Sequence, residues 1–364
     1  MNIKSLLLGS AAALAAVSGA QAADAIVAAE PEPMEYVRVC DAFGTGYFYI
    51  PGTETCLKVG GYVRFDAKYN DAYRLDREGL FTNTRAHISL DTASDTEWGA
   101  LKTKIVARFD YNPQYDVISD TNGTDIGFDG NNTRTRLNQA YITWGGFLVG
   151  LADSQYSQFS GYAGDIINDD VISYGPFELN QVTYTFDAGN GFKVVASLED
   201  DGANDNDTPG GASDWPDAVL GAKYDNGTFA ASLVGGYDES AEEGAVKGRI
   251  SGKFGAFSAF LMGGWNTDGD TNNKYAPGTN YGDATVGWGD WAVWGGAGYK
   301  FTDKVAANVQ VGYTDSEVLA ASANVKWTPV SGLLIQPEVS YTSVDNAQMD
   351  DDQWTGMVRL QRTF

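Results

Sequence analysis

The chain has 364 residues, with 44 glycines, only 10 prolines, 13% aromatic residues and a formal net charge of −24. So acidic a chain repels nucleic acid, which excludes an ordinary nucleic-acid-binding protein. A soluble domain of this length normally contains several amphipathic helices, but apolar residues at helical spacing are almost absent. Short alternating runs recur from Leu57 to the last residue, and they predict an all-β fold.

The first residues predict export from the cytoplasm. Lys4 precedes the apolar run LLLGSAAALAAVSGA, and Ala20-Gln21-Ala22 has the small-x-small pattern of a cleavage site. We therefore expect residues 1–22 to be a secretory signal peptide and the mature chain to begin near Ala23. No later segment approaches 18 uninterrupted apolar residues, so no spanning helix is predicted.

Two cysteines lie in the segment 23–56, before the first predicted strand. In an exported chain, Cys40 and Cys56 are expected to form a disulfide. In the chain-entropy model, closing this loop stabilises the folded state by about 3 kcal/mol. A metal site would need more ligands nearby, and the only histidine, His87, is distant in sequence. We predict neither a metal site nor a cofactor.

Sixteen strands follow, and several are close to the 9–11 residues that cross a bilayer when tilted. We predict them at 57–68, 84–92, 98–111, 134–145, 147–153, 178–187, 191–199, 216–224, 228–237, 245–254, 257–265, 290–301, 304–313, 318–328, 332–343 and 354–364.

The connections between these strands alternate in length. Some are tight, such as Gly145-Gly146, and the connections between them are mostly long, at 69–83, 112–133, 154–177, 200–215, 266–289 and 344–353. A membrane barrel with short periplasmic turns and long extracellular loops produces this alternation. A soluble β-sandwich does not require short connections at one end and long connections at the other.

The two faces of the strands support a barrel with a wet interior. In LKTKIVARFDY, Leu101, Ile105 and Phe109 oppose Lys102 and Lys104. In a barrel of sixteen strands the apolar face contacts lipid and the charged face lines the lumen. Residues 57–364 are therefore predicted to be an all-β, 16-stranded antiparallel transmembrane β-barrel.

The last strand carries a further signal. Phe364 follows Leu360, Val358 and Trp354 at even spacing, as in the terminal strand by which outer-membrane barrels are recognised for assembly. Arg362 falls on the lipid-facing parity, which is tolerable only near the interface, where its stem can snorkel.

Several stretches carry a resemblance to a known family. The start MNIKSLLLGSAAALAA, the cysteine-bracketed EYVRVCDAFGTGYFYIPGTETCLKVGGYVRFD, the stretch GYAGDIINDDVIS, the pair GDWAVWGG and the end VRLQRTF together resemble the alphaproteobacterial porins of Rhizobiales type. The resemblance covers essentially the whole chain. It implies a homotrimeric outer-membrane barrel that conducts small hydrophilic solutes and ions passively, with the third long loop folded into the pore.

The third long loop, residues 154–177, has unusual composition. It is too apolar for a loose surface loop, at Phe159 and Ile166 for example, and it carries Asp165, Asp169 and Asp170. Long loops are usually functional or disordered. We expect its apolar residues to pack on the inner wall and its three carboxylates to face the remaining aperture. The alternative is an ordinary external loop with a few buried side chains.

Basic residues with inward parity cluster on the first strands and the last one. They are expected to form a wall opposite the loop carboxylates, creating a transverse field. Each could instead pair with a neighbouring Asp66, Asp91 or Asp110. Arg134 and Arg136 would join the wall only if a bulge intervenes, because Ala140, Ile142 and Trp144 share their parity. The wall residues are Arg64, Arg85, Lys102, Lys104, Arg108 and Arg359, with Lys58 at the start of the arc.

Three rival functions remain from the sequence. An outer-membrane enzyme would have to use His87 as its base, and no motif marks a serine partner. A channel specific for sugars or peptides needs an aromatic or polar lining, for which Tyr62, Tyr156, Tyr162 and Tyr174 are candidates. A plugged barrel that anchors the envelope is the third. The expected partners are outer-membrane lipid, lipopolysaccharide and further copies of the chain.

Overall fold

The computed structural model describes residues 37–71, 78–113, 117–119, 125–128, 133–200, 215–281, 284–346 and 350–364. Val39–Phe364 forms one compact unit. The predicted signal peptide and residues 23–36 of the segment that follows it lie outside the described residues. No helix in the described ranges is long and apolar enough to cross a membrane.

Sixteen antiparallel strands form one closed sheet, in which each strand pairs with its neighbour in sequence and the last pairs with the first. They are β1 (Cys56–Asn70), β2 (Gly79–Ser94), β3 (Leu101–Tyr111), β4 (Thr133–Trp144), β5 (Phe147–Asp153), β6 (Glu178–Asp187), β7 (Phe192–Asp200), β8 (Asp217–Asp225), β9 (Phe229–Asp238), β10 (Glu243–Phe254), β11 (Phe257–Asn266), β12 (Trp291–Thr302), β13 (Val305–Thr314), β14 (Val318–Trp327), β15 (Leu333–Asp345) and β16 (Asp350–Thr363). The predicted barrel is confirmed.

Two strands extend furthest beyond their predicted bounds, both towards the long-loop rim. β2 begins at Gly79 rather than at 84, and β16 begins at Asp350 rather than at 354. Gly79 pairs with Asn70 and Asp350 pairs with Asp345, so the ladder continues through residues without an alternating pattern. Outside lipid, two strands can pair through their backbones without an apolar face. Hydrophobic alternation therefore underestimates the length of these strands.

Closure joins β1 to β16. Tyr62 to Asn70 pair with Thr355 to Thr363 in register, and the Phe364 N–H donates to the Gly61 carbonyl oxygen at 3.0 Å. The Arg362 guanidinium donates to the Ser331 carbonyl oxygen at 2.6 Å, in the turn between β14 and β15. Its charged end therefore lies at the short-turn rim, where the lipid-facing parity of this residue is tolerable.

The strands bury their polar face and expose their apolar face. On β13, Val309 and Val311 are about half exposed, at 52% and 50%, whereas Asn308 and Gln310 between them are 9% and 5% exposed. A soluble sheet shows the opposite pattern. An outward apolar face is the arrangement that the alternation predicted for a barrel in lipid.

The connections have the predicted distribution between the two rims. Gly145 and Gly146 join β4 to β5 in a two-residue turn in which both residues have positive φ, a conformation that glycine adopts without steric cost. The strand ends that flank the long connections lie at the other rim. Two of these connections contain short hairpins, Val117–Ser119 with Asp125–Phe128 and Thr279–Tyr281 with Ala284–Val286.

The segment before β1 folds against that strand. Phe48–Tyr49 pairs with Leu57 and Cys56, after a single 3-10 turn at Asp41–Phe43. Cys40 and Cys56 form a disulfide, as predicted, and both are buried. Cys56 pairs with Ala93 of β2, beside the short turn that leads into β3, so the bond lies at the short-turn rim.

Candidate functional site

The segment 154–177 enters the lumen from the end of β5. Its only helix, Gln155–Gln158, begins at Ser154, whose hydroxyl accepts from the Tyr156 N–H at 3.1 Å. The same hydroxyl donates to Glu199 Oε2 of β7 at 2.6 Å, and the Gln155 N–H donates to Glu199 Oε1 at 2.9 Å. Glu199 thus binds the first turn to the wall, as a carboxylate does at a helix N-terminus.

An apolar core fills the lumen beside β7–β12. From the segment, Phe159, Ala163, Ile172 and Tyr174 are buried in it. The wall contributes inward-facing residues of successive strands, and the core includes Val195, Val219, Val234, Ala245, Met262, Ala292 and Trp294. This packing accounts for the apolar composition that was unusual in the sequence.

The tip of the segment is hydrogen-bonded to β14 and β15. Glu338 of β15 accepts from the Ile167 N–H at 2.5 Å and from the Asn168 N–H at 2.8 Å. Asn324 of β14 donates to the Asp165 carbonyl oxygen at 2.9 Å. In a closed sheet of sixteen strands, β14 and β15 lie nearly opposite β5 and β6, between which the segment is inserted. These contacts put its tip on the far wall.

The return half of the segment is held by side chains of the wall and of the connection that precedes β12. Lys247 of β10 is fully buried, donates to the Tyr174 carbonyl oxygen at 2.5 Å, and has its Nζ 4.2 Å from the centroid of the Tyr156 ring. The indole N–H groups of Trp288 and Trp294 donate to the Ser173 and Ile172 carbonyl oxygens at 2.7 and 3.2 Å. Lys247, Trp288 and Trp294 each donate to a backbone carbonyl oxygen that an irregular segment leaves unpaired.

Sequence reasoning missed Lys247 and Glu338. Both have inward parity on their strands, so the alternation on β10 and β15 could have identified them as lumen residues. It could not have shown what they bind, because Glu338 and Ile167 are 171 residues apart in the chain. Only the closure of the barrel brings them together.

The three predicted carboxylates lie in different surroundings. Asp165 is exposed and forms an ion pair with Lys326 Nζ of β14 at 3.0 Å. Asp169 is half-buried and accepts from the Tyr174 hydroxyl at 2.8 Å. Asp170 is exposed to solvent but closely surrounded by protein atoms, and its electrostatic neighbours are Lys68 of β1 and Arg359 of β16.

The pKa of Asp169 is raised to about 7. Loss of hydration in the enclosed lumen is the main cause, and the charge of neighbouring Asp170 adds to it, while the Tyr174 hydroxyl bond acts in the opposite direction. Enclosure also raises the pKa of Asp170, and the charges of Lys68 and Arg359 lower it. A pKa of about 7 lets the charge of Asp169 change near neutral pH.

The predicted basic wall consists largely of ion pairs. Asp66 accepts from Arg359 Nε and Nη2 at 2.8 and 3.0 Å and lies 3.3 Å from Arg64 Nε. Arg85 Nε donates to Asp110 at 2.5 Å. Lys104 Nζ lies 3.3 Å from Asp91. The pairing that the sequence left open therefore occurs with all three expected aspartates, and it reduces the net charge of the wall.

A bulge brings two further arginines to this face. The pairing of β3 with β4 shifts register between Val106 and Ala107, so that Asn138 of β4 has no partner in the ladder. Beyond the bulge, Arg136 lies opposite Arg108 and Arg134 opposite Asp110. The sequence predicted that Arg134 and Arg136 face inward only if a bulge intervenes, and this bulge is present.

The rest of the predicted wall has less charge compensation. Arg108 Nη1 donates to Asn138 Oδ1 and lies 3.6 Å from Glu178. Lys102 is exposed, and Lys58 Nζ lies 5.8 Å from the centroid of the Tyr47 ring. Together with Arg134 and Arg136, these residues leave an excess of positive charge along β1–β4.

The four candidate tyrosines do not form a continuous lining. Tyr156 and Tyr174 are buried in the apolar core, which contradicts the expectation that they line a path. Tyr162 donates to Asp153 at 2.5 Å and stacks on Phe177. Tyr62 stacks on His87, with ring centroids 4.5 Å apart. Tyr62 and Tyr162 remain outside that core, one on β1 and the other on the segment.

Comparison with known proteins agrees with this architecture. The family Porin_2, described as a porin subfamily, matches residues 24–361. Porin Omp2b of Brucella canis is 46% identical over 379 aligned positions that cover all of both chains, and Porin Omp2b of Brucella abortus is equally similar.

Solved structures share the fold at low identity. The outer membrane channel DcaP of Acinetobacter baumannii has a TM-score of 0.65 at 19% identity, covering 87% of this chain and 99% of its own. An anion-selective porin from Comamonas acidovorans has a TM-score of 0.59 at 13% identity, covering 85% and 100%. The protein is an outer-membrane channel for passive diffusion, and the chain belongs to the porin subfamily.

Proposed function

We propose that residues 154–177 set the aperture of this channel, and that solutes and ions pass between them and the arc formed by β16 and β1–β4. The observation that carries the proposal is the bond of the tip to Glu338, because it extends the segment from β5 to the opposite wall. Apolar packing closes the lumen on the β7–β12 side. The charged arc is the side left for water.

Charge on both sides of the aperture makes it selective for small polar solutes. Asp169 and Asp170 lie on the segment, and the excess of arginine and lysine lies on the arc. A field between the two orients dipolar solutes and disfavours apolar ones, which cannot replace the hydrogen bonds of displaced water. Because ion pairs neutralise much of the arc, we expect the preference between cations and anions to be modest.

Deletion of Gly161 to Asp170 tests the position of the segment. Single-channel conductance in planar bilayers should rise, because the deletion removes the tip that crosses the lumen. Heat-modifiable mobility on gels serves as the control that the barrel is assembled. Unchanged conductance from an assembled variant would place the segment outside the path.

Charge removal tests the field separately. The combination of Asp165→Asn, Asp169→Asn and Asp170→Asn should change conductance less than the deletion and shift the reversal potential in a salt gradient towards anions. The shift should shrink at 1 M salt, where the Debye length falls to about 3 Å. A reversal potential that stays constant would show that these carboxylates are remote from the permeating ions.

We further propose that the mature chain starts near Ala23, assembles as a homotrimer and contacts lipopolysaccharide at its long-loop rim. Similarity to porins over the whole chain supports the trimer. Native mass spectrometry in detergent should give three copies, and a monomer mass would contradict the proposal. We propose no catalytic role, since His87 stacks on Tyr62 and its Nδ1 has no hydrogen-bond partner among the described residues.

A further inference from the structure

A hollow of about 450 Å³ lies between residues 160–165 and the inner wall of β8–β13. Its lining includes residues next to the short turns, such as Asp225, Thr228 and Lys253, so it opens towards the short-turn rim. The arc of β16 and β1–β4 contributes nothing to it. The hollow is therefore a side chamber, distinct from the aperture proposed above.

Arg249 of β10 is the central charge of this chamber. Its Cζ lies 4.9 Å from the centroid of the Phe260 ring, and Nη1 donates to Ser251 Oγ at 3.0 Å. Its Nε is buried and has no hydrogen-bond partner among the described residues, which also include no carboxylate paired with it. Arg64, Arg85 and Arg359 differ, because each has an aspartate.

Two lysines extend the positive charge of the chamber. In register, Lys223 of β8 lies opposite Ser232 of β9, which lies opposite Arg249, so two strand spacings of about 10 Å in total separate them. Lys253 is four residues beyond Arg249 on the same face. Of the acids in the lining, Asp165 pairs with Lys326, and Asp225 accepts from the Gly227 N–H at 2.8 Å, so the three basic residues exceed the remaining negative charge.

The chamber also offers apolar surface and hydroxyls. The Phe260 ring lies against Gly296, where an added Cβ would come within 2.4 Å of the ring. Ser251, whose hydroxyl oxygen accepts from the guanidinium, and Ser258, which lies opposite Lys253 on the adjoining strand, both line the chamber. A volume of about 450 Å³ is in the range of small-molecule sites.

We propose that this chamber binds small organic carboxylates, with Arg249 holding the carboxylate and Phe260 contacting the apolar body. An arginine fork matches the two oxygens of a carboxylate, and no carboxylate among the described residues is paired with the Arg249 guanidinium. A porin with this site holds small organic carboxylates beside its diffusion path, whereas an aperture without a binding site holds no solute.

Fluorine NMR of detergent-solubilised protein tests the site without measuring current, so its outcome is independent of the proposed aperture. The probe is 4-fluorobenzoate, and its neutral isostere 4-fluorobenzamide is the matched control. We expect line broadening of the benzoate only, displaced by unlabelled benzoate. Arg249→Gln should weaken binding about tenfold, as expected for loss of a charge-assisted bond.

Three variants locate the site. Ala230→Trp fills the chamber without changing its charge and should abolish broadening, which keeps the test valid if Arg249→Gln does not assemble. Lys102→Gln on the basic arc and Lys300→Gln at the short-turn rim remove one positive charge elsewhere and should leave broadening unchanged.

Several outcomes would overturn the proposal. Equal broadening by the benzamide would mean that binding is apolar and nonspecific. Full broadening in Ala230→Trp, or its loss in Lys102→Gln, would place the ligand outside the chamber. Displacement of the probe by inorganic phosphate at concentrations tenfold below those required for acetate would replace the carboxylate assignment with a phosphate one.

Discussion

At the scale of single residues, the lumen is governed by how each charge is compensated. Asp66 joins Arg64 to Arg359 across the seam between β1 and β16, and Asp110 holds Arg85. Such paired charges are fixed in position and contribute little net field. On the segment 154–177, Asp169 is the clearest charge that can change near neutral pH.

We predict that the ion preference of the channel changes with pH through Asp169. Its pKa is about 7, above the usual value for an aspartate, so it is mostly charged at pH 8 and mostly neutral at pH 6. Loss of this negative charge should move the reversal potential towards anions as the pH falls across this window. The groups around it are Asp170, the Tyr174 hydroxyl and Glu338.

Asp169→Asn should remove the pH dependence, and Asp165→Asn should keep it, because Asp165 is exposed and paired with Lys326. Reversal potentials measured from pH 8 to pH 6 in a salt gradient check both variants. A pH dependence that persists in Asp169→Asn would assign the titration to another group.

At the scale of elements, an irregular segment is held rigid by the regular strands around it. Its first turn is bound by Glu199, its return half by Lys247 and its tip by Glu338. Each anchor is a buried ionisable side chain that bonds to backbone, and such bonds are stronger than those between neutral groups. The segment is thereby positioned at three points along its length.

We predict that Glu338→Gln loosens the tip. An amide has one acceptor oxygen where the carboxylate has two, so the Ile167 or Asn168 N–H loses its bond and faces an N–H donor. The docked state should weaken by about 1–3 kcal/mol. Single-channel recordings should then show added current noise and excursions to higher conductance.

Glu97→Gln is the matched control, because Glu97 lies in the exposed turn between β2 and β3, where its carboxylate accepts from the Trp98 indole N–H at 2.9 Å. Its recordings should match those of the unmodified channel. A quiet Glu338→Gln channel would show that the tip is held by other contacts.

At the scale of the whole molecule, lipid surrounds the barrel and water fills it. Apolar side chains therefore face outward and polar side chains inward, which is the reverse of a soluble protein. We predict that Ile105→Lys, on the lipid face of β3, lowers the free energy of unfolding by about 2–4 kcal/mol. Gln139→Lys, on the lumen face of adjoining β4, should cost far less, since water reaches that face. Urea unfolding in lipid vesicles, followed by tryptophan fluorescence, measures both. Equal costs would contradict the assigned faces.

The sequence by itself determined the barrel. Alternation with period two, sixteen strands and loops separated by length are local patterns, and each is set by the chemistry of lipid and water on the two faces of a strand. The same parity placed Arg64, Arg85, Lys104, Arg108 and Arg359 on the inner face. It also predicted that Arg134 and Arg136 face inward only if β4 contains a bulge, and the register shift at Asn138 is that bulge.

Tertiary structure alone decided what each inward residue meets. Parity cannot show that Glu338 binds Ile167, that Lys247 is buried beneath Tyr174 or that Tyr156 lies in a core rather than beside water. These contacts join residues 73 to 171 positions apart. Their partners depend on how the closed sheet curves and on where one irregular segment crosses it. Neither property is encoded in the alternation of a single strand.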